Sequence, residues 1–177
     1  MKRSRVPLFA LAIVLALSFP SASLASNSNS CPITKAPDQP FVQPSPYRPY
    51  TGTNDHFLFG TPELWAFIET RWVLHLNSGN KLPYFSRDLD VEAAADPRLA
   101  VVARRLDSTQ PLVWADWVNS AGPPYFANGK KVEGATDPGF MVTSLRIPNA
   151  GCWEITAHYF PSRGNVHTLT YTVWVEP

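Results

Sequence analysis

The chain has 177 residues, with fifteen basic and fourteen acidic side chains and a formal net charge of +1. This even balance, with no basic stripe anywhere, argues against a nucleic-acid partner. The length suffices for one domain with a genuine core.

Lys2, Arg3 and Arg5 precede an apolar run from Val6 to Phe19, and Pro20 leads into Ser21-Ala22-Ser23-Leu24-Ala25. A basic start, a short apolar stretch and small residues at −3 and −1 predict a cleaved signal peptide over residues 1–25, with Ser26 as the mature N-terminus. The rival reading is an uncleaved anchor, but the apolar run is short for the ~20 residues of a spanning helix. Lipid attachment at Cys31 is a second rival, and Ser28-Asn29-Ser30 lacks the aliphatic residue it needs. No second apolar run could span a membrane, so a secreted or periplasmic location is expected. Cleavage leaves 152 residues with twelve basic against fourteen acidic side chains. Cys31 and Cys152 are the two cysteines, and in an exported chain an isolated pair predicts a disulfide.

Residues 26–62 read as a proline-rich extended arm, with Pro32, Pro37, Pro40, Pro44, Pro46, Pro49 and Pro62. Phe41, Val42, Tyr47 and Tyr50 give it apolar contacts along a domain of residues 63–177. Thr61-Pro62-Glu63 resembles a helix start, yet Leu64–Ile68 and Trp72–Leu76 are rich in strand formers; two strands are the favoured expectation. Gly79 to Pro97 reads as loop, with a helical turn over Glu92–Ala95. Strands are expected over Leu99–Leu106, Leu112–Val118 (with Trp114 and Trp117 on opposite faces) and Phe140–Ile147. Ser120 to Gly139 reads as loop.

The clearest pattern is at the C-terminus. Trp153, Ile155, Ala157 and Tyr159 alternate with Cys152, Glu154, Thr156 and His158. Leu169, Tyr171, Val173 and Val175 alternate with Thr168, Thr170, Thr172 and Trp174. Period-two alternation predicts two strands with one buried face, joined as a hairpin through Gly164 and Asn165. With a three-residue loop, Trp174 would stand opposite Glu154. Six or seven short strands with little helix predict an all-β protein, an antiparallel immunoglobulin-like β-sandwich with a proline-rich N-terminal arm.

Arg104-Arg105-Leu106-Asp107, Gly139-Phe140, Ser144, Ile147-Pro148 and Gly151-Cys152-Trp153-Glu154-Ile155-Thr156 occur in this order. The chain thereby resembles a family of small exported bacterial proteins that share an Arg-Arg-Leu-Asp segment and a Gly-Cys-Trp-Glu-Val-Thr strand. The match covers residues 99–177 best, with Ile155 in place of the family's Val and no counterpart for residues 119–138. The resemblance implies export and an immunoglobulin-like fold, and carries over no catalytic residue.

The residues themselves weigh against several chemistries. His158 and His167 have opposite strand parity, so a shared metal site needs a bulge; no metal ligand and no cofactor are assigned. No Gly-x-Ser-x-Gly elbow surrounds a serine, and Asp88, Asp90 and Glu92 read as a solvated acidic loop. No catalytic residue is assigned. Asp107 is expected to bond backbone in a turn, and one of Arg104 and Arg105 to pair with an acid. Trp174, of outward parity, is either covered by the arm or a ligand anchor. The expected function is an exported, non-catalytic domain that binds or supports an envelope or extracellular partner. The alternatives are a small envelope hydrolase with its site in loops 77–98 and 119–139, and a carbohydrate-binding module.

Overall fold

A computed structural model describes residues 30–39, 41–45, 47, 55–75, 78–89, 98–121, 126–127, 130–131 and 139–177. Asp90, Glu92, the signal peptide expected over residues 1–25 and the helical turn expected over Glu92–Ala95 lie outside them. The described residues form strands β1 (His56–Thr61), β2 (Leu64–Glu69), β3 (Trp72–Val73), β4 (Asn80–Phe85), β5 (Leu99–Arg105) and β6 (Val113–Trp114). They continue with β7 (Trp117–Ala121), β8 (Phe126–Ala127), β9 (Lys130–Lys131), β10 (Phe140–Leu145), β11 (Gly151–Tyr159) and β12 (His167–Glu176). Two five-stranded sheets result, ordered β1-β2-β4-β10-β7 and β3-β12-β11-β5-β6, with β8 and β9 as a separate hairpin. The protein is all-β. Its pairs are antiparallel except for the short parallel ladder of Trp72 and Val73 on Val175 and Glu176.

The C-terminal alternation holds for every inward residue, while Cys152 and Thr172, of outward parity, are buried as well, at the Cys31 bridge and the Thr34 pairing. Trp153, Ile155, Ala157 and Tyr159 are buried, as are Leu169, Tyr171, Val173 and Val175. They pack against Leu64, Ala66, Ile68, Leu82, Tyr84, Met141 and Leu145 of the other sheet. The loop between β11 and β12 spans residues 160–166, longer than expected, so Trp174 pairs with Cys152 and Glu154 with Thr172. The register shift is even, which leaves every side chain on its expected face.

Several boundaries differ from expectation, each for a physical reason. The first strand, β1, begins at His56, inside the stretch 26–62 read as arm, because residues 50–61 contain no proline. Thr61-Pro62-Glu63 makes the turn of a tight hairpin, with Thr61 paired to Leu64. Gly60 (φ 135°) lets that hairpin close, since a Cβ there would stand 2.3 Å from the Leu64 carbonyl oxygen. The two strands favoured after Thr61 exist as β2 and the short β3.

The region 79–97 is not all loop. β4 runs through Pro83, and the pairing of β2 with β4 covers only Trp65–Phe85 and Ala66–Tyr84. The edge of β4 facing β2 is therefore open at Pro83, where a missing N–H is tolerated. The single strand expected over Leu112–Val118 is two strands in different sheets. Ala115 N–H donates to Val101 O, and Asp116 N–H donates to Ser144 O, each at 2.9 Å. The chain crosses from one sheet to the other between those two residues. The loop expected over 120–139 contains the end of β7 and the antiparallel pair β8–β9.

The expected disulfide is present: Cys31 and Cys152 are bonded across 121 residues, with Cα atoms 5.6 Å apart. Beyond it, Thr34 pairs with the edge of β12. Thr34 N–H donates to Thr172 O and Thr172 N–H to the Thr34 hydroxyl, both at 2.9 Å. Farther on, Phe41 and Tyr47 lie over Trp65, with ring centroids at 5.5 and 4.8 Å. The Tyr47 hydroxyl reaches Ser86 O at 2.9 Å and Gly139 O at 3.0 Å. Trp65 points away from the main core and is nonetheless fully buried, in a second cluster with Tyr47, Leu58 and Phe85. Among the described residues no helix is long and apolar enough to cross a membrane.

Candidate functional site

Two of the segments that carried the family resemblance, residues 104–107 and the start of β11, meet in one place, while Gly139, Phe140 and Ser144 lie at β10 of the other sheet. Arg104 and Arg105 end β5, and β11 begins beside them, with Arg105 paired to Trp153 and Arg104 to Glu154. On the outer face the Arg104 guanidinium donates to Glu154 Oε1 at 2.8 Å. On the other side Arg105 forms an ion pair with Asp107, the two side chains being only 14% and 12% exposed. The second oxygen of Asp107 accepts the Cys152 N–H at 3.1 Å, and Leu106 N–H donates to Cys152 O at 2.8 Å. Asp107 thus bonds backbone as expected, although the backbone is that of a distant strand. Both arginines pair with an acid, where sequence suggested one. Gly151 (φ 142°) makes room: a Cβ there would fall 2.7 Å from Arg105 Nη2 and 2.8 Å from Asp107 Oδ2. This is a lock between two strand ends, and every charge in it is matched.

The histidines stand apart, as their parity implied. His158 Nδ1 lies 3.0 Å from the Thr168 hydroxyl on the outer face. His167 Nε2 lies 3.0 Å from Asp88 Oδ2 at the sandwich end, where Arg87 also pairs with Glu63 at 2.7 Å. A hydrogen bond from the Thr61 side chain, helped by Arg87, holds the Glu63 carboxyl below its ordinary pKa. Among the described residues no three His, Cys, Asp or Glu side chains come close enough to hold a metal ion. Of the loops assigned to a hydrolase, 77–98 contains β4 and 119–139 contains β8 and β9; Asp88 is bound to His167.

Trp174 is half-buried, at a groove of about 440 Å³ along the edge of β12. One wall is the N-terminal segment at Ile33 to Ala36; the opposite wall is the turn from β2 to β3, at Thr70 and Arg71. Arg71 donates to Glu176 Oε2 at 2.7 Å across its mouth. Residues 31–36 therefore pass beside Trp174 without sealing it, while Phe41 and Tyr47 go on to cover Trp65. A second hollow, about 550 Å³, lies on the first sheet between Phe67, Pro83 and Phe140, rimmed by His56, Glu69 and Lys81. Trp114, which sequence placed on a strand without a role, is 58% exposed on the short edge strand β6, near the equally open Leu112 at 53%. Its exposure depends on β6 having, among the described residues, a strand neighbour on one side only, which no local pattern encodes. No family model matches the chain, and neither does any curated protein or solved structure.

Proposed function

We propose that this protein is an exported, non-catalytic immunoglobulin-like domain that binds at the bacterial cell envelope through the groove beside Trp174, and that it belongs with the small exported bacterial proteins it resembles. The observation that carries the reading is the Cys31–Cys152 bond, which ties the proline-rich arm alongside Trp174 and makes it one wall of the groove. Such a bond persists in an oxidising compartment. Strand order supports the fold label. With β2, β4, β5, β6, β7, β10, β11 and β12 lettered A, B, C, C′, D, E, F and G, the sheets read A-B-E-D and G-F-C-C′. The Cys31–Cys152 bond is not the inter-sheet bridge of antibody domains, because Cys152 has the outward parity of β11 and Cys31 lies in the arm.

The binding assignment rests on a half-buried tryptophan in a groove of mixed polarity, an arrangement suited to anchoring a ligand. The test is sedimentation of mature protein with washed bacterial envelopes. Wild-type protein should pellet with them, and Trp174→Ala should remain in the supernatant while keeping its fold. A wild-type protein that does not pellet overturns the reading.

A further inference from the structure

The outer face of the second sheet has a regular side-chain arrangement that the groove does not use. Trp114, Val102, Thr156 and Thr170 are successive register partners across β6, β5, β11 and β12, so they form one row on one face. Directly paired residues share a face in an antiparallel sheet, and the residues between them, Val101, Ala103, Ile155 and Tyr171, are buried in the core. The row crosses three inter-strand gaps, roughly 14 Å. It begins with an indole that is 58% exposed and ends with two threonine hydroxyls 3.1 Å apart. On one side runs the row Ala100, His158 and Thr168, with the His158 ring 3.0 Å from the Thr168 hydroxyl. On the other runs Arg104, Glu154 and Thr172, where the cation and the anion are paired at 2.8 Å.

This surface offers an open aromatic plane at one end, an apolar Val102 beside it, neutral hydroxyls at the other end, and one positive and one negative side chain that cancel. A charged ligand would find no uncompensated partner among these residues. A pyranose chain fits both ends of the row: its C–H faces are apolar and stack on indole, and its rim of hydroxyls exchanges hydrogen bonds with threonine, histidine and the Arg104–Glu154 pair. We infer that this face, centred on Trp114, Thr156 and Thr170, binds an uncharged polysaccharide. The inference goes beyond the reading of the protein as an envelope binding domain: it assigns a second binding surface, with its own ligand class, at residues separate from the Trp174 groove.

The experiment is native electrophoresis through gels cast with xyloglucan, galactomannan, xylan or a β-glucan, run on the disulfide-bonded mature protein. At least one polymer should retard the wild type, and high salt should leave the retardation unchanged because no net charge is matched. Trp114→Ala should weaken it by roughly thirtyfold, the loss expected of an aromatic anchor. Thr156→Val with Thr170→Val should weaken it less, and Trp174→Ala should leave it intact. Because Trp114 is largely exposed, its variant should keep the wild-type melting temperature, measured alongside. No retardation by any polymer, retardation abolished by salt, or retardation indifferent to Trp114→Ala overturns the inference. Envelope sedimentation that persists under those outcomes leaves the envelope reading standing, so the two ideas fail separately.

Discussion

The hydroxyls of Tyr84 and Tyr171 meet at 3.0 Å in the middle of the core, one from each sheet, and neither ring has appreciable exposure. Each hydroxyl is the other's partner, and water does not reach them. Tyr171→Phe should therefore cost about 1–3 kcal/mol, because it leaves the Tyr84 hydroxyl buried and unpaired. The double variant Tyr84→Phe with Tyr171→Phe should recover most of that loss, since both polar groups leave together. Urea melts of the three variants check it, and a strictly additive cycle would sink it.

The same pair sets an alkaline limit. Burial raises the pKa of both phenols well above the ordinary 10.0, so the native state keeps protons that the unfolded chain releases. Their contribution is complete below about pH 10, the unfolded value, and is lost as the pH rises above it. The slope should approach about 1.4 kcal/mol per pH unit for each tyrosine. Tyrosinate absorbance of these two should appear only together with the loss of tertiary circular dichroism; their ionisation in a folded protein would contradict the assignment.

The two ion pairs at the end of β5 should differ in strength. Arg105 and Asp107 are 14% and 12% exposed and also hold the Cys152 amide, so Asp107→Ala should cost about 2–4 kcal/mol. Arg104 is 60% exposed, and Arg104→Ala should cost less than about 1 kcal/mol. Gly151→Ala should be destabilising by about 1–3 kcal/mol, since it combines a positive φ with a clash into Asp107. Thermal melts in low and high salt measure all three, with the Arg104 variant the most salt-sensitive difference.

Replacing Cys31 and Cys152 together by Ala should cost about 4–5 kcal/mol, the chain-entropy value for a loop of 121 residues. The loss of the tether should also loosen the Thr34–Thr172 pairing and shift Trp174 emission to the red. Non-reducing peptide mapping and denaturant melts of the oxidised protein supply the comparison. Two freely alkylated thiols in protein isolated without reductant would refute the bridge.

Trp153 and Trp174 separate packing from exposure. Trp153 has no exposed area, and its indole N–H donates to Asn149 O at 3.0 Å, so Trp153→Ala should cost about 3–5 kcal/mol. Trp174 is half-buried beside residues 33–36, and Trp174→Ala should cost about 1–2 kcal/mol. Equal losses for the two would show that residues 33–36 seal Trp174 as fully as the core seals Trp153.

What sequence alone determined is the set of residues facing inward on β11 and β12. Side-chain alternation is a property of a single strand, so it survived a wrong loop length: the faces were right although Trp174 stands opposite Cys152 and not Glu154. The paired cysteines were legible for a similar reason, because a chain with two offers one bridge. Leu64 to Ile68 was harder to read, since Trp65 and its neighbours are buried on both faces and show no alternation. Only the approach of Tyr47 and Phe41 from far along the chain gives Trp65 its second covered side. The strand through Pro83 exists because the ladder with β2 stops beside it. The run from Leu112 to Val118 divides between sheets because adjacent amides at Ala115 and Asp116 find carbonyls on different sheets. The same crossing ends β6 after two residues and leaves Trp114 open at an edge. Which face a side chain takes is decided within its own strand. Which sheet that strand joins, and what covers its outer side, is decided by partners brought in from elsewhere in the chain.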